Sequence, residues 1–181
     1  MKKSLFILLT LLTSLCLSHP ALSQASSDLA HYRLGSGDSI KISVYGQSDL
    51  SIETRLPDTG NINYPFLGDI QAVGLTTAQL EQHIYQGLKG DYLVSPSVSV
   101  TITQYRPFFI DGEVKKPGGY PYQPGLSIDK AAALAGGYTQ RAAKDEIIIL
   151  RDISGTQQQV TAKTSDTVQP GDIVRIQQSF F

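Results

Sequence analysis

The chain has 181 residues, with 15 Lys+Arg against 16 Asp+Glu for a formal net charge of −1, 9 tyrosines, no tryptophan and one cysteine. A near-neutral balance without a basic run excludes an electrostatic grip on nucleic acid. A single thiol excludes a disulfide framework and a thiolate metal cluster.

The N-terminus carries Lys2 and Lys3, an apolar run from Leu5 to Leu17, then Pro20 and the small-residue site Ala21-Leu22-Ser23. That order is a secretory signal peptide over residues 1–23. The run is too short for a bilayer span, which takes about 20 residues, so the mature chain is expected to be soluble by itself. Cys16 is compatible with a lipid anchor or with a residue of the discarded segment. Leu15 stands where lipoprotein sites resemble a pattern with a small residue, which favours the second. Removal of residues 1–23 takes two lysines and no acid, leaving 13 basic and 16 acidic residues and a net charge of −3. The remainder suits one ordinary domain or two small ones, and its many short segments between turn signals favour two.

Beyond a polar lead-in at 24–30, Gly35-Ser36-Gly37-Asp38 marks a tight turn. Ile40, Ile42 and Val44 then alternate with polar residues as in a half-buried strand. Residues 56–70 read as a turn at Pro57-Asp58-Thr59-Gly60-Asn61 followed by one or two short strands ending at Gly68-Asp69. Thr76 and Gln79 form a capping box, with Leu75 and Leu80 as a hydrophobic staple. Leu80, Ile84 and Leu88 mark one face of a helix of about three turns, which Gly87 or Gly90 stops. Val98, Val100 and Ile102 predict a strand that closes the first unit before Tyr105-Arg106-Pro107.

The second unit, 106–181, opens with Phe108, Phe109 and Ile110, turns at Lys116-Pro117-Gly118-Gly119 and returns through Tyr120 and Tyr122 as a hairpin. Ser127 caps a small helix that Gly136-Gly137 ends. Strands are predicted at Ile147–Leu150 and Ile173–Ile176, with a polar turn near Ser154-Gly155 between them. Leu34 to Ile42 matches Val168 to Ile176 in layout, each a glycine-aspartate turn launching a strand, which reads as reuse of one turn solution.

Taken in order, five blocks resemble the domain that defines outer-membrane polysaccharide export proteins: Tyr32 to Asp38, Leu56 to Ile62 with Pro57, Asp58 and Gly60, Tyr64 to Gly68 with Pro65, Gly74-Leu75-Thr76, and Pro96 to Val100. Residues 109–176, with Gly112 to Tyr120, the Ser127 to Gly137 helix and Pro170-Gly171-Asp172, are similar to the soluble-ligand-binding β-grasp domain that follows it in that family. The resemblance implies an α+β chain, with the export domain over 31–105 and the ubiquitin-like β-grasp domain over 106–181. It also implies a ring-shaped homo-oligomer guiding capsular polysaccharide or exopolysaccharide through the periplasm, docked on an inner-membrane polysaccharide co-polymerase. Long members carry further β-grasp domains and a membrane-crossing C-terminal helix. Because this chain stops at Phe181, the pore is expected from a separate outer-membrane β-barrel.

Catalytic, metal and cofactor sites are not expected. His31 and His83 lie about fifty residues apart without metal-ligand spacing and read as surface residues. Asp111 and Glu113, two apart on one predicted strand, have the composition of a sugar-cleaving pair but not its usual origin on different strands, and read as solvated carboxylates beside Lys115 and Lys116. The glycine pairs lack the lysine and hydroxyl of a phosphate loop. Tyr105, Tyr120, Tyr122 and Tyr138 suit either packing in core and interface or weak stacking on sugar rings. A monomeric periplasmic glycan-binding or regulatory module is the alternative to a ring.

Overall fold

The computed structural model describes residues 31–153 and 155–179; the predicted signal peptide, Cys16 and the polar lead-in lie outside them. Strand β1 (Ser39–Val44) sits between β2 (Gln47–Arg55) and β5 (Val98–Gln104) in a three-stranded antiparallel sheet. Its burial alternates as the sequence predicts: Ile40, Ile42 and Val44 face the core. A separate hairpin, β3 (Asn61–Tyr64) with β4 (Gly68–Gln71), packs Ile62, Tyr64 and Ile70 into the same core. Helix α1 (Thr77–Leu88) closes that core with Leu80, Ile84 and Leu88.

Both halves of the capping box form at the start of α1: Gln79 N donates to Thr76 Oγ1 at 3.2 Å, and Thr76 N donates to Gln79 Oε1 at 2.9 Å. The helix stops at Leu88, with Lys89 extended and Gly90 at φ 95°. Replacing Thr76 with Ala orphans the Gln79 amide, and the expected loss is about 1 kcal/mol of stability. Thermal unfolding followed by circular dichroism checks this; an unchanged midpoint would mean that packing alone holds the helix start.

The second unit is a five-stranded sheet in the order β7-β6-β10-β8-β9. Its strands are β6 (Phe108–Gly112), β7 (Gly118–Tyr120), β8 (Ala142–Ile153), β9 (Thr156–Ala162) and β10 (Ile173–Gln178). First and last strands, β6 and β10, run parallel at the centre, and the other pairs are antiparallel. Helix α2 (Ile128–Leu134) lies between β7 and β8 in sequence and buries Ile128, Ala131 and Ala132 against the sheet. This order, with its central parallel pair and one helix, is the β-grasp arrangement, so the α+β expectation holds for both units.

The structure adds two strands that the pattern did not predict. β2 carries only Leu50 and Ile52 among polar residues, and β9 is exposed at six of its seven positions. Both are edge strands that touch the core at few positions, β2 through Leu50 and Ile52 and β9 through Ala162, so neither shows a run of alternating apolar residues. The turn at Gly155 therefore joins β8 to β9 rather than β8 to β10. The β6–β7 hairpin returns at Gly118 and ends at Tyr120, which leaves Tyr122 outside the strand.

Candidate functional site

The two matching turns found in the sequence have the same hydrogen-bond geometry. Gly35 N donates to Asp38 Oδ2 at 2.8 Å while Asp38 N returns to Gly35 O at 3.1 Å. Gln169 N donates to Asp172 Oδ2 at 2.7 Å while Asp172 N returns to Gln169 O at 3.1 Å. Asp38 and Asp172 are the buried charged side chains of the described residues, 0 % and 1 % exposed. A carboxylate removed from water needs charged or multiple donors to persist.

Asp172 meets that need within its own unit: Arg151 on β8 grips it through Nε at 2.9 Å and Nη2 at 2.7 Å. Asp38 meets it across the boundary between the two cores. Its Oδ1 accepts from the Arg106 backbone amide at 2.7 Å, its Oδ2 accepts from Tyr32 Oη at 2.6 Å, and Arg106 Nη1 lies 3.6 Å from Oδ2. Arg106 Nε also donates to Pro170 O, at 3.2 Å, in the second turn. One guanidinium thus bridges both glycine-aspartate turns.

Its passage requires missing side chains. A Cβ on Gly35 would lie 1.3 Å from Arg106 Nη1, and one on Gly171 would lie 2.5 Å from Nε. The glycines that looked like plain turn residues therefore also make room for the joint. Ring packing extends it: Tyr32 meets Tyr105, and Tyr105 meets Tyr122, each edge to face with centroids 5.3 Å apart. Burial and the Asp38 charge both push the Tyr32 phenol well above its ordinary range, burial contributing most. Tyr105 is raised by the same two causes in the same order.

Of the four tyrosines singled out from the sequence, the fold brings Tyr105 and Tyr122 together and separates the other two. Tyr120 stacks on the core ring of Phe108, centroids 6.0 Å apart, and donates to Lys116 O at 2.6 Å. Tyr138 donates to Asp129 Oδ1 at 2.9 Å beneath the Lys144 ammonium; burial, then that hydrogen bond, raises its phenol. Tyr32 and Arg106 are the joint residues that the sequence did not single out as site residues: Tyr32 only opens the first of the five blocks, and Arg106 only stands at the boundary between the units.

The remaining motif residues shape turns. Gly60 N closes a turn on Pro57 O at 3.0 Å, and Asp58 accepts from the Ser36 hydroxyl. Pro65 and Gly68 flank the β3–β4 turn, Pro96 is buried where the chain enters β5, and Pro117 and Gly118 turn the β6–β7 hairpin. Gly112 ends β6 at φ 79° against the Ile176 carbonyl. Asp111 is held by Arg175 at 2.8 Å and Glu113 accepts from the Thr139 hydroxyl, so the two carboxylates have separate partners and do not converge on one cleft. His31 and His83 are exposed. Among the described residues no group of three or more His, Cys, Asp or Glu is placed to hold a metal, and no helix is long and apolar enough to cross a membrane.

Residues 26–103 match the family model described as polysaccharide biosynthesis/export protein, and residues 107–161 match the SLBB domain. Strand β10, which completes the second sheet, lies beyond the matched segment. The chain is 36 % identical over 163 residues to the exopolysaccharide production protein ExoF of Rhizobium meliloti, covering 80 % of this chain and 37 % of that protein. It is 24 % identical over 181 residues to the EPS I polysaccharide export outer membrane protein EpsA of Ralstonia nicotianae, covering 81 % and 47 %. A polysialic acid transport protein KpsD of Escherichia coli is 26 % identical over 123 residues, covering 66 % and 22 %. The chain thus spans less than half the length of each of these relatives. With the export domain and the SLBB domain in series, joined through Arg106, the chain belongs to the polysaccharide export protein family.

Proposed function

We propose that this protein is a periplasmic component of a capsular polysaccharide or exopolysaccharide export machine. It assembles into a ring or collar that guides the polymer from an inner-membrane co-polymerase to an outer-membrane pore supplied by a separate β-barrel. It makes and breaks no covalent bond. The observation that carries this reading is the serial pair of family domains held by one partly buried joint, where Arg106 reaches Asp38 in the first unit and Pro170 in the second. A part that lines a conduit must hold its domains at a fixed angle, because a ring closes only when each copy presents the same relative orientation. Relatives named for exopolysaccharide production and polysaccharide export support the cargo class.

The test is an in-frame deletion with quantification of secreted and cell-surface polysaccharide, together with light scattering of the mature protein. Secretion is expected to fall at least about ten-fold and to return on complementation. Normal secretion in a strain without a second homologue would end the export reading. A stable monomer at high concentration, with and without its partners, would favour the regulatory or glycan-binding module instead.

A further inference from the structure

At the β3–β4 turn, Phe66 adopts φ 67°, the one positive φ outside glycine among the described residues. That conformation is unfavourable for a bulky side chain, so something must hold it there. Two anchors do. Tyr64 is buried and donates its hydroxyl to Leu50 O at 2.6 Å, and Leu67 packs so closely on α1 that a Cβ at Gly87 would lie 2.8 Å from its methyl groups. Pinned on both sides, the turn leaves Phe66 outside, 65 % exposed.

The ring is ordered nonetheless. It stacks on Tyr92, from the loop after α1, with centroids 4.8 Å apart and planes 26° from parallel. Tyr92 is itself 46 % exposed, and neither ring belongs to the core. The outward face of the same hairpin carries Asn61 opposite Gln71 and Asn63 opposite Asp69, all exposed. Asn63 Nδ2 donates to Asp69 Oδ1 at 3.0 Å across the strands. Residues 61–71 contain no lysine, arginine or histidine.

A held aromatic pair, at a hairpin that also exposes amides and one carboxylate, offers what a sugar chain needs. An aromatic face covers the apolar C–H face of the sugar, and amide and carboxylate groups exchange hydrogen bonds with its hydroxyls. The hairpin carries Asp69 and no cation, and in the loop that bears Tyr92 the Lys89 ammonium lies over the Tyr85 ring with Asp91 two residues on, so no net positive charge gathers near the rings to favour an anionic sugar or an anionic lipid surface. We propose that Phe66 and Tyr92 form a stacking platform for neutral hexose stretches of the exported polysaccharide, with the exposed amides and carboxylate of the same hairpin open to hydroxyls further along the polymer; this rests on the export reading above. The platform binds weakly, with affinity in the millimolar range, since a short stacking surface buries little area and a conduit must release its cargo.

Saturation-transfer difference NMR on the purified mature protein tests it. Cellohexaose, maltoheptaose and a linear β-1,3-glucan hexamer serve as neutral probes, and an oligogalacturonate serves as the anionic one. Saturating the aromatic resonances is expected to light up sugar C–H protons of at least one neutral probe, and Phe66→Gly should cut that signal at least about five-fold. Glycine removes the ring and the backbone strain together, so the melting midpoint is expected to stay within about 3 °C and the loss is not unfolding. Phe109→Ala, which removes an exposed ring from the other unit, should leave the signal unchanged.

No transfer to any neutral probe, equal transfer in Phe66→Gly, or preference for the anionic probe would each overturn the platform. Light scattering is run on the same variant. A shift from oligomer to monomer in Phe66→Gly would assign the rings to contact with a second copy and would also overturn it. Because binding is read on purified protein and export on cells, the two readings fail separately: normal secretion after deletion strikes the export role, while a silent spectrum with defective secretion strikes only the platform.

Discussion

Replacing Arg106 with Ala is expected to leave both units folded but to free their relative orientation, and with it to abolish polysaccharide secretion. Asp38 is fully buried and keeps three hydrogen bonds in the variant, from Tyr32 Oη, Gly35 N and the residue-106 amide. What it loses is its ion-pair partner, and the second unit loses the bond to Pro170 O. Removing one member of a buried pair costs about 3–5 kcal/mol when nothing else meets the remaining charge. With three donors kept and the guanidinium partly in solvent, about 2 kcal/mol is expected.

Small-angle scattering is the decisive measurement. It should show a larger radius of gyration and a profile that no single rigid body fits, while circular dichroism stays near wild type. Arg106→Lys keeps the charge yet cannot serve Asp38 and Pro170 at once, because an ammonium is a compact donor where a guanidinium is a fork. It should fall between the two. A scattering curve superimposable on wild type in Arg106→Ala, with normal secretion, would mean that the tyrosine run alone fixes the joint.

The largest loss of stability is expected from Gly112→Ala. Gly112 closes β6 at φ 79°, in register with Ile176 of β10. A Cβ there would lie 2.1 Å from the Ile176 carbonyl oxygen, which is backbone in the central parallel pair and cannot swing aside as a side-chain end can. The left-handed conformation costs alanine about 1–2 kcal/mol, and relieving the clash must part β6 from β10 as well. Together these amount to about 3–4 kcal/mol, or a fall in melting midpoint of roughly 10 °C. By contrast, alanine at Gly68, also at positive φ but with open space around its Cβ position, carries the conformational cost alone. Differential scanning calorimetry of the two variants separates strain from clash, and equal midpoints would show that the strand pair yields more easily than its hydrogen bonds suggest.

Both effects bear on how the chain uses one turn twice. In each unit an aspartate bonds back to the amide three residues earlier, and its own carbonyl receives an amide from a neighbouring segment, Leu56 in the first and Phe109 in the second, each at 2.8 Å. The difference lies in the arginine. Arg151 comes from the same sheet as Asp172, so that pair stabilises its own unit. Arg106 lies between the sheets, so the corresponding pair holds two units together.

Features that depend on near neighbours could be read from the residues alone. Alternating apolar residues marked β1 and β5, the Thr76 and Gln79 pair marked the start of α1, and the paired glycine-aspartate turns and five motif blocks pointed to the family. These are legible because strand alternation, capping and turn chemistry act over two to five residues. The remaining features arise from contacts between distant parts of the chain. The edge strands β2 and β9 take their backbone hydrogen bonds from an adjacent strand, which lets them be polar and hides them from any apolar pattern. The joint depends on bringing Arg106 to Asp38, 68 residues away, and to Pro170, 64 residues away on the other side. The exposure of Phe66 follows from where Tyr64 and Leu67 are buried. Contacts of that range exist only once the chain has closed on itself, so no local pattern of residues could announce them.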